Sequence, residues 1–438
     1  MQYSTFAAID IGSYDVILEI FEISKKQGIR SVDKICHRME LGKDTYTLGK
    51  IRPEMEEELC RVLADFVRIM EGYRVDDYRA TASSAISEAS NSLYVLGKIH
   101  QLTGLSVTVL SNSEQRFLSY KALAAMEDNF NKIIEKGTAI LDLDGGSFQI
   151  SLFDKDALVT TQNIRMGSLR IRERLAGIQS ETEHYEEMVE ELIWNEVSSF
   201  KKMYLKDRKI ENIMLIGDVF TDSVYQNIEE KTTKIISREN FNTWYEKIIR
   251  QSPMELAVKL GIPLENASLM YPSAVIYKCL IDMMGAEHIW IPGVHMTRGI
   301  AYEYAEQMKL LKGGHNFEND ILMAAKNIGK RYAVNRPHVQ NLEMTALAMF
   351  DATKKMHGMK ERERLLLQMA VMLHDVGKYI SFNNVADSSY NIIMSNEIIG
   401  LSHIEREMVA LIARYNTVTL PSYDELVMES SLSAEQYL

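Results

Sequence analysis

The feature that most limits what this chain can become is a short phrase written twice. Near the N-terminus, FAAIDIGSYDVILEIFEI sets Asp10-Ile11-Gly12-Ser13 between two apolar runs, and later AILDLDGGSFQISLFD sets Asp142-Leu143-Asp144-Gly145-Gly146-Ser147 in the same surroundings. Short runs rich in Ile, Val and Phe on either side of a Gly-Ser pair read as strand, turn, strand. The copies lie 132 residues apart (142 − 10), about the size of one domain. A supersecondary unit repeated at that period predicts two related domains facing each other. Chance supplies one Asp-x-Gly-Ser readily, but two in matching strand contexts point to a shared architecture.

The flanks agree. Leu59, Val62, Leu63, Phe66, Val67 and Met70 recur at helical spacing and predict a helix over 52–71. SVTVL at 106–110 predicts a strand, with a helix after it over 113–125. In the second unit an acidic amphipathic helix is expected over 181–200, a buried strand at 212–216 ending at Gly217, another strand at 288–291 and a helix over 298–311. Strands alternating with helices make both units α/β. Lys312-Gly313-Gly314-His315-Asn316 reads as a linker, after which the strand pattern stops. Stripes such as Leu342, Thr345, Ala346, Met349, Phe350 and then Leu365, Met369, Met372 make the remainder all-helical. The expected domains are 1–124, 125–311 and 312–438.

A net charge of −12 argues against a surface-wide binder of nucleic acid or anionic membrane. An anionic ligand would need a local basic pocket. No run of about 18 apolar residues occurs, so no membrane span is expected. The first apolar stretch is broken by Asp10, Asp15, Glu19 and Glu22 and lacks a basic start, unlike a signal peptide. Cys36, Cys60 and Cys279 show no metal or redox spacing and suit a reducing cytoplasm.

A Gly-Ser turn between strands leaves backbone N–H groups uncovered and adds a hydroxyl donor, which is how a tight turn holds phosphate oxygens. Gly12, Ser13, Gly145, Gly146 and Ser147 are therefore candidate phosphate-binding residues. Asp10 and Asp142, just upstream, stand where Mg2+ bridging the phosphates would want hard oxygen ligands. Either turn alone reads equally as a plain hairpin; the pair favours the gripping role. Clusters at Arg165, Arg170, Arg172, Arg174 and at Lys326, Lys330, Arg331, Arg336 offer a positive track for a polyanion, or simply solvated helix faces.

Nearly end to end, these segments resemble the exopolyphosphatase / guanosine pentaphosphate phosphohydrolase family, within the superfamily of actin, hexokinase and the heat-shock chaperone ATPases. Asp10-Ile11-Gly12-Ser13-Tyr14-Asp15 stands where that family has D-[IL]-G-S-N-S, and 142–149 where it has D-I-G-G-G-S-x-E. Ser111-Asn112-Ser113-Glu114-Gln115-Arg116 is similar to S-G-x-E-E-A-R, home of the catalytic carboxylate. Met166-Gly167-Ser168-Leu169-Arg170 is similar to L-G-[AS]-[VL]-R, and 261–276 to the helix-loop-helix G-[LI]-P-x-x-R-A-D. The resemblance implies two ribonuclease-H-like α/β domains around a cleft. It implies Mg2+-dependent hydrolysis of terminal phosphoanhydride bonds of polyphosphate or guanosine pentaphosphate, commonly by a homodimer. Glu114 becomes the candidate general base and Arg170 a phosphate ligand; read from the residues alone, Glu114 is an ordinary helix-start acid.

His338, with His374-Asp375 at the end of a later helix, resembles the HD phosphohydrolase domain that many members carry at the C-terminus, so an HD-like site for a second divalent metal is implied. Asp387 stands near a further ligand position. The departures are equally definite. Tyr14-Asp15 replaces Asn-Ser, Ser87 stands where the family has a phosphate-binding Arg, Asp144 replaces Gly, and Gln149 replaces Glu. Each makes the cleft less positive or less catalytic. Reduced turnover is expected, with two alternatives: a binding sensor of polyphosphate or guanosine polyphosphate, or a metal phosphohydrolase acting through the helical domain.

Overall fold

The computed structural model describes residues 4–126, 130–155, 157–176, 185–227, 234–311 and 315–437. Residues 312–314 of the expected linker, and the start of the helix expected over 181–200, lie outside them. The chain forms two compact units, 1–156 with 162–315, and 157–161 with 316–438.

Two sheets build the first unit, all but residues 157–161 of one edge strand. One is built from β1 (Ser4–Ile11), β2 (Asp15–Ser24), β3 (Gly28–Arg38), β4 (Asp77–Ala82) and β5 (Val107–Val109), in the order β3-β2-β1-β4-β5. The other contains β6 (Thr138–Leu143), β7 (Phe148–Asp154), β8 (Ala157–Ile164), β9 (Asn212–Ile216), β10 (Ile235–Ser237) and β11 (His288–Trp290), in the order β10-β11-β9-β6-β7-β8. The repeat read from sequence is a repeat of pairing. β1 runs antiparallel to β2 and parallel to β4, while β6 runs antiparallel to β7 and parallel to β9. Both turns close with the same bond: Gly12 N–H donates to Asp15 O at 2.8 Å, and Asp144 N–H to Ser147 O at 2.9 Å.

β1 is apolar from Phe6 to Ile9 because both faces are covered there, and its period of two sends alternate residues to opposite cores. Ala7, Ile9 and Ile11 pack with Leu59, Leu63 and Phe66 of the helix Pro53–Tyr73. Phe6 and Ala8 pack with Ile300, Ala301 and Tyr304 of the helix Met296–Gln307. Burying a side chain of this size stabilises by roughly 1.5–3 kcal/mol, so both helices are needed to hold the strand. Met296–Gln307 follows the second sheet in sequence yet lies on the first, with Phe6 and Tyr304 stacked at 4.1 Å. Its apolar face covers the side of β1 that Pro53–Tyr73 leaves bare. Gly299 permits that fit, because a Cβ there would collide with the carbonyl oxygen of Leu118 on the helix Asn112–Met126.

The second unit is helical, with no strand among its described residues from 316 onward. Its helices include Phe317–Arg331, Arg336–His357, Glu361–Leu373, Val385–Ser395 and His403–Arg414. Local signals set their ends. Asn335 caps Arg336–His357 by accepting from His338 N–H, and Gly358, at φ 69°, ends it. Among the described residues no helix is long and apolar enough to cross a membrane.

Candidate functional site

Both strand-turn-strand units deliver a carboxylate to one cavity of about 160 Å³, lined by Asp10 and Asp15 from the first sheet and by Asp142 and Asp144 from the second, with Asp222 beside them. Burial pushes the Asp10 carboxyl well above the usual carboxylate range, and repulsion from Asp15 and Asp144 adds to it. Burial also lifts Asp142 to about 6, against a hydrogen bond from Ser119 and the charge of Arg116. Asp144 rises to about 7, mainly through burial, then through Asp142 and Asp15, against a bond from Gly145 N–H. Asp15 is raised too by burial, although the Arg38 guanidinium 2.9 Å away opposes this. Asp10 Oδ1 is buried without a hydrogen-bond partner. An orphaned carboxylate oxygen beside two carboxyls driven toward protonation is the donor set of a hard divalent cation. Mg2+ fits it, since Mg2+ keeps several waters and needs only one or two carboxylates.

The two turns touch each other. A Cβ on Gly145 would lie 3.1 Å from Ser13 Cβ and 3.2 Å from Tyr14 Cδ1, and one on Gly146 would collide with Tyr46 Oη and Ser84 Oγ. Ser13 Oγ, Tyr46 Oη and Ser84 Oγ form a hydrogen-bonded chain with both links at 2.8 Å. Gly12, Ser13, Gly145, Gly146 and Ser147 thus come together, but Tyr46 and Ser84 fill the space against which their N–H groups would hold phosphate.

Glu114 lies outside the acidic cavity. Its carboxylate accepts from Ser111 N–H at 2.9 Å and Ser111 Oγ–H at 2.7 Å, and its own N–H donates to Ser111 Oγ at 3.3 Å. That is a capping box, the local reason a Ser-x-x-Glu starts a helix here. Glu114 lines a separate cavity with Asp77, Tyr78, Arg79 and Glu303. From the same helix, Gln115 lines the acidic cavity and Ser119 bonds Asp142. The second Glu of the S-G-x-E-E pattern falls on Gln115, an amide. Arg116, wholly buried, donates to Gln149.

Two members of the arginine cluster are neutralised by carboxylates. Arg170 contacts both carboxylate oxygens of Glu88 at 3.1 and 3.0 Å, donates to Gly146 O at 2.8 Å, and lies 3.8 Å over the Tyr46 ring. Arg172 is held by Glu40 and Glu173. The basic side chains that do line the cavity are Lys34, Arg38 and His295, none of them in the two clusters expected from sequence. Their signal was the two-residue spacing Lys34, Cys36, Arg38, which puts all three on one face of β3.

In the helical unit, His338, His374 and Asp375 bring one ligand atom each within 4.8 Å of one another, a grouping unique among the described residues. His374 Nδ1 lies 2.7 Å from Val371 O. A carbonyl only accepts, so Nδ1 carries a proton, and Nε2 is the ring nitrogen turned toward Asp375, 3.3 Å from its Oδ1. Lys378 holds the other Asp375 oxygen at 2.6 Å. Asp387 does not join: Arg414 takes it at 2.8 Å. Two imidazoles and a carboxylate suit a transition-metal dication.

Comparison with known proteins follows this geometry. Residues 20–308 match the model of the Ppx/GppA phosphatase family, and residues 322–434 match Ppx/GppA phosphatase, domain III. A guanosine-5'-triphosphate,3'-diphosphate pyrophosphatase of Vibrio atlanticus is 19% identical over 99% of this chain and 84% of its own length. A bifunctional 3-dehydroquinate synthase/phosphatase of Fusobacterium nucleatum is 21% identical over 65% of this chain, which spans only 44% of that protein. Among solved structures, an exopolyphosphatase from Cytophaga hutchinsonii superposes with a TM-score of 0.62 at 17% identity, covering 69% of this chain and 98% of its own. The Aquifex aeolicus Ppx/GppA family member gives 0.58 at 17% identity, over 70% of this chain and 99% of its own.

Proposed function

Because the chain belongs to the Ppx/GppA phosphatase family, we propose that its acidic cavity hydrolyses the terminal phosphoanhydride bond of inorganic polyphosphate or guanosine pentaphosphate and releases orthophosphate. The observation that carries this is Asp10 Oδ1, buried and unpartnered beside Asp142 and Asp144. Asp10 and Asp142 would hold Mg2+, which supplies positive charge to the phosphate oxygens. The two Gly-Ser turns are assigned to the phosphate oxygens. Water must lose a proton as it attacks phosphorus. Asp144, held at about 7, is matched to accept it near neutral pH, whereas Glu114 is spent on its helix cap. His338, His374 and Asp375 are assigned a second divalent metal with a separate role. A cytoplasmic homodimer is the working assembly, with neither nucleic acid nor membrane as partner.

Orthophosphate release from long-chain polyphosphate and from guanosine pentaphosphate, with Mg2+ present, tests this reading. Asp144→Asn should abolish release and Glu114→Ala should leave it within a few-fold. The reverse pattern would return the base to Glu114. Gln115, Gln149 and the closed turns favour one other reading, a phosphate-binding sensor. Saturable binding by wild-type protein without any release would establish that instead.

A further inference from the structure

The register of the first sheet sets a line of side chains across the floor of the cavity. Asp10 on β1 pairs with Ile17 on β2, and Ile17 pairs with Cys36 on β3. All three line the cavity, so they form one transverse row on one sheet face. Lys34 and Arg38 flank Cys36 at two residues on either side and share that face. Two strand spacings separate β3 from β1, about 10 Å. The carboxylates that fit a divalent cation therefore stand at one end of a row, and the cavity's lysine and arginine at the other.

These cations are not equally engaged. Arg38 is tied to Asp15 at 2.9 Å and lies 5.6 Å from the centre of the Tyr14 ring. His295, at the start of the helix Met296–Gln307, has Asp222 at 3.5 Å. Lys34 is exposed and makes no hydrogen bond or ion pair among the described residues, yet its charge acts on Asp10, Asp15 and Cys36. An ammonium aimed into an acidic cavity without closing on any carboxylate is poised for a mobile anion. Nearby, Tyr46 and Ser84 pack against Gly146, and Arg170 is committed to Glu88.

We propose that Lys34, with Arg38 and His295 beside it, is the anion subsite of this cavity, and that it receives the far end of a short linear phosphoanhydride whose terminal phosphate lies over Asp10. The proposal rests on the phosphohydrolase reading and deepens it. With their backbones two strands apart, about 10 Å, the lysine and Asp10 are taken to need a few linked phosphate groups between them, so that a single orthophosphate held at the Asp10 end leaves Lys34 unused. The lysine that serves this site comes from an edge strand.

Titration calorimetry of the full chain with inorganic tripolyphosphate and with orthophosphate, each with Mg2+, tests it. Lys34→Ala should weaken tripolyphosphate binding about tenfold or more, the usual scale for removing a charge-assisted contact, and leave orthophosphate binding unchanged. Lys34→Arg should restore most of the loss, and Lys26→Ala, in the turn before β3, should change neither. Circular dichroism of each variant confirms folding. Equal tripolyphosphate affinity in wild type and Lys34→Ala, or equal loss for both ligands, overturns the subsite. If wild type releases orthophosphate and Lys34→Ala matches it in binding and turnover, the subsite fails while the hydrolase reading stands. Lys34-dependent binding without turnover has the opposite meaning.

Discussion

Replacing Asp144 with asparagine should stabilise the protein at neutral pH while it ends the chemistry. The Asp144 carboxyl is held at about 7 against an ordinary 3.8. A gap of about three units, at about 1.4 kcal/mol each, corresponds to about 4 kcal/mol. This is an upper bound, because the solvent reaches one side of the cavity and Asp142 and Asp15 share the repulsion. The sign follows from proton binding. The folded chain holds this proton more tightly than the unfolded one, so the group's contribution is complete below about pH 4 and is lost as pH rises through about 7. Asparagine has nearly the same size, cannot ionise, and its amide oxygen can still accept from Gly145 N–H, now 2.6 Å from the carboxylate. All three tryptophans, Trp194, Trp244 and Trp290, lie between β8 and the helix Met296–Gln307, so their fluorescence reports on the lobe that carries Asp144. Urea unfolding followed by that signal, with chelator present, should show the variant ahead by about 2–4 kcal/mol at pH 8 and by much less at pH 4.5. Added Mg2+ should narrow the difference at pH 8 by stabilising the wild type. A variant no more stable at pH 8, or one with the same advantage at both pH values, would refute the claim that burial and mutual repulsion strain this cluster.

Two further outcomes are expected. Gly299→Ala should cost about 1–3 kcal/mol, since its methyl collides with Leu118 O and the two packed helices must part; a circular dichroism melt indistinguishable from wild type would contradict that packing. His374→Ala should lower the Zn2+ held by the full chain by about one equivalent, read by elemental analysis after dialysis. Undiminished metal content would place any bound ion away from His338 and Asp375.

The sequence made legible whatever was settled locally. The strand NIMLI was expected at 212–216 and is Asn212–Ile216; the helix expected at 52–71 is Pro53–Tyr73. In each, a run of apolar residues meets one continuous core. β3 went unread because it is an edge strand: GIRSVDKICHR is wet along much of its length and carries no apolar alternation. With β3 went Lys34 and Arg38, whose relation to Asp10 depends on pairing between strands rather than on spacing along the chain. The capping role of Glu114 was written in Ser111 and its three-residue spacing, but a family pattern gave the same carboxylate a catalytic meaning. Which of two adjacent side chains, Glu114 or Gln115, faces the cavity depends on how the helix is rotated against Asp142, and one sequence does not state that. The ties between Arg170 and Glu88 join residues 82 positions apart, again outside the reach of local pattern.

The late return of the helix Met296–Gln307 to the first sheet has a consequence for how the protein is made. Phe6, Ala8, Phe21, Ile23, Leu110 and Leu118 form a face that Ile300, Ala301 and Tyr304 cover. All six emerge from the ribosome before the residues that cover them, with some 180 positions intervening between Leu118 and Met296. At about 5–20 residues per second, that face stays bare for roughly ten to thirty-five seconds in every round of synthesis. A nascent chain halted inside the second lobe displays a sticky half-sheet, so chaperones that hold exposed apolar surface have their longest opportunity on this protein before residue 296 is translated.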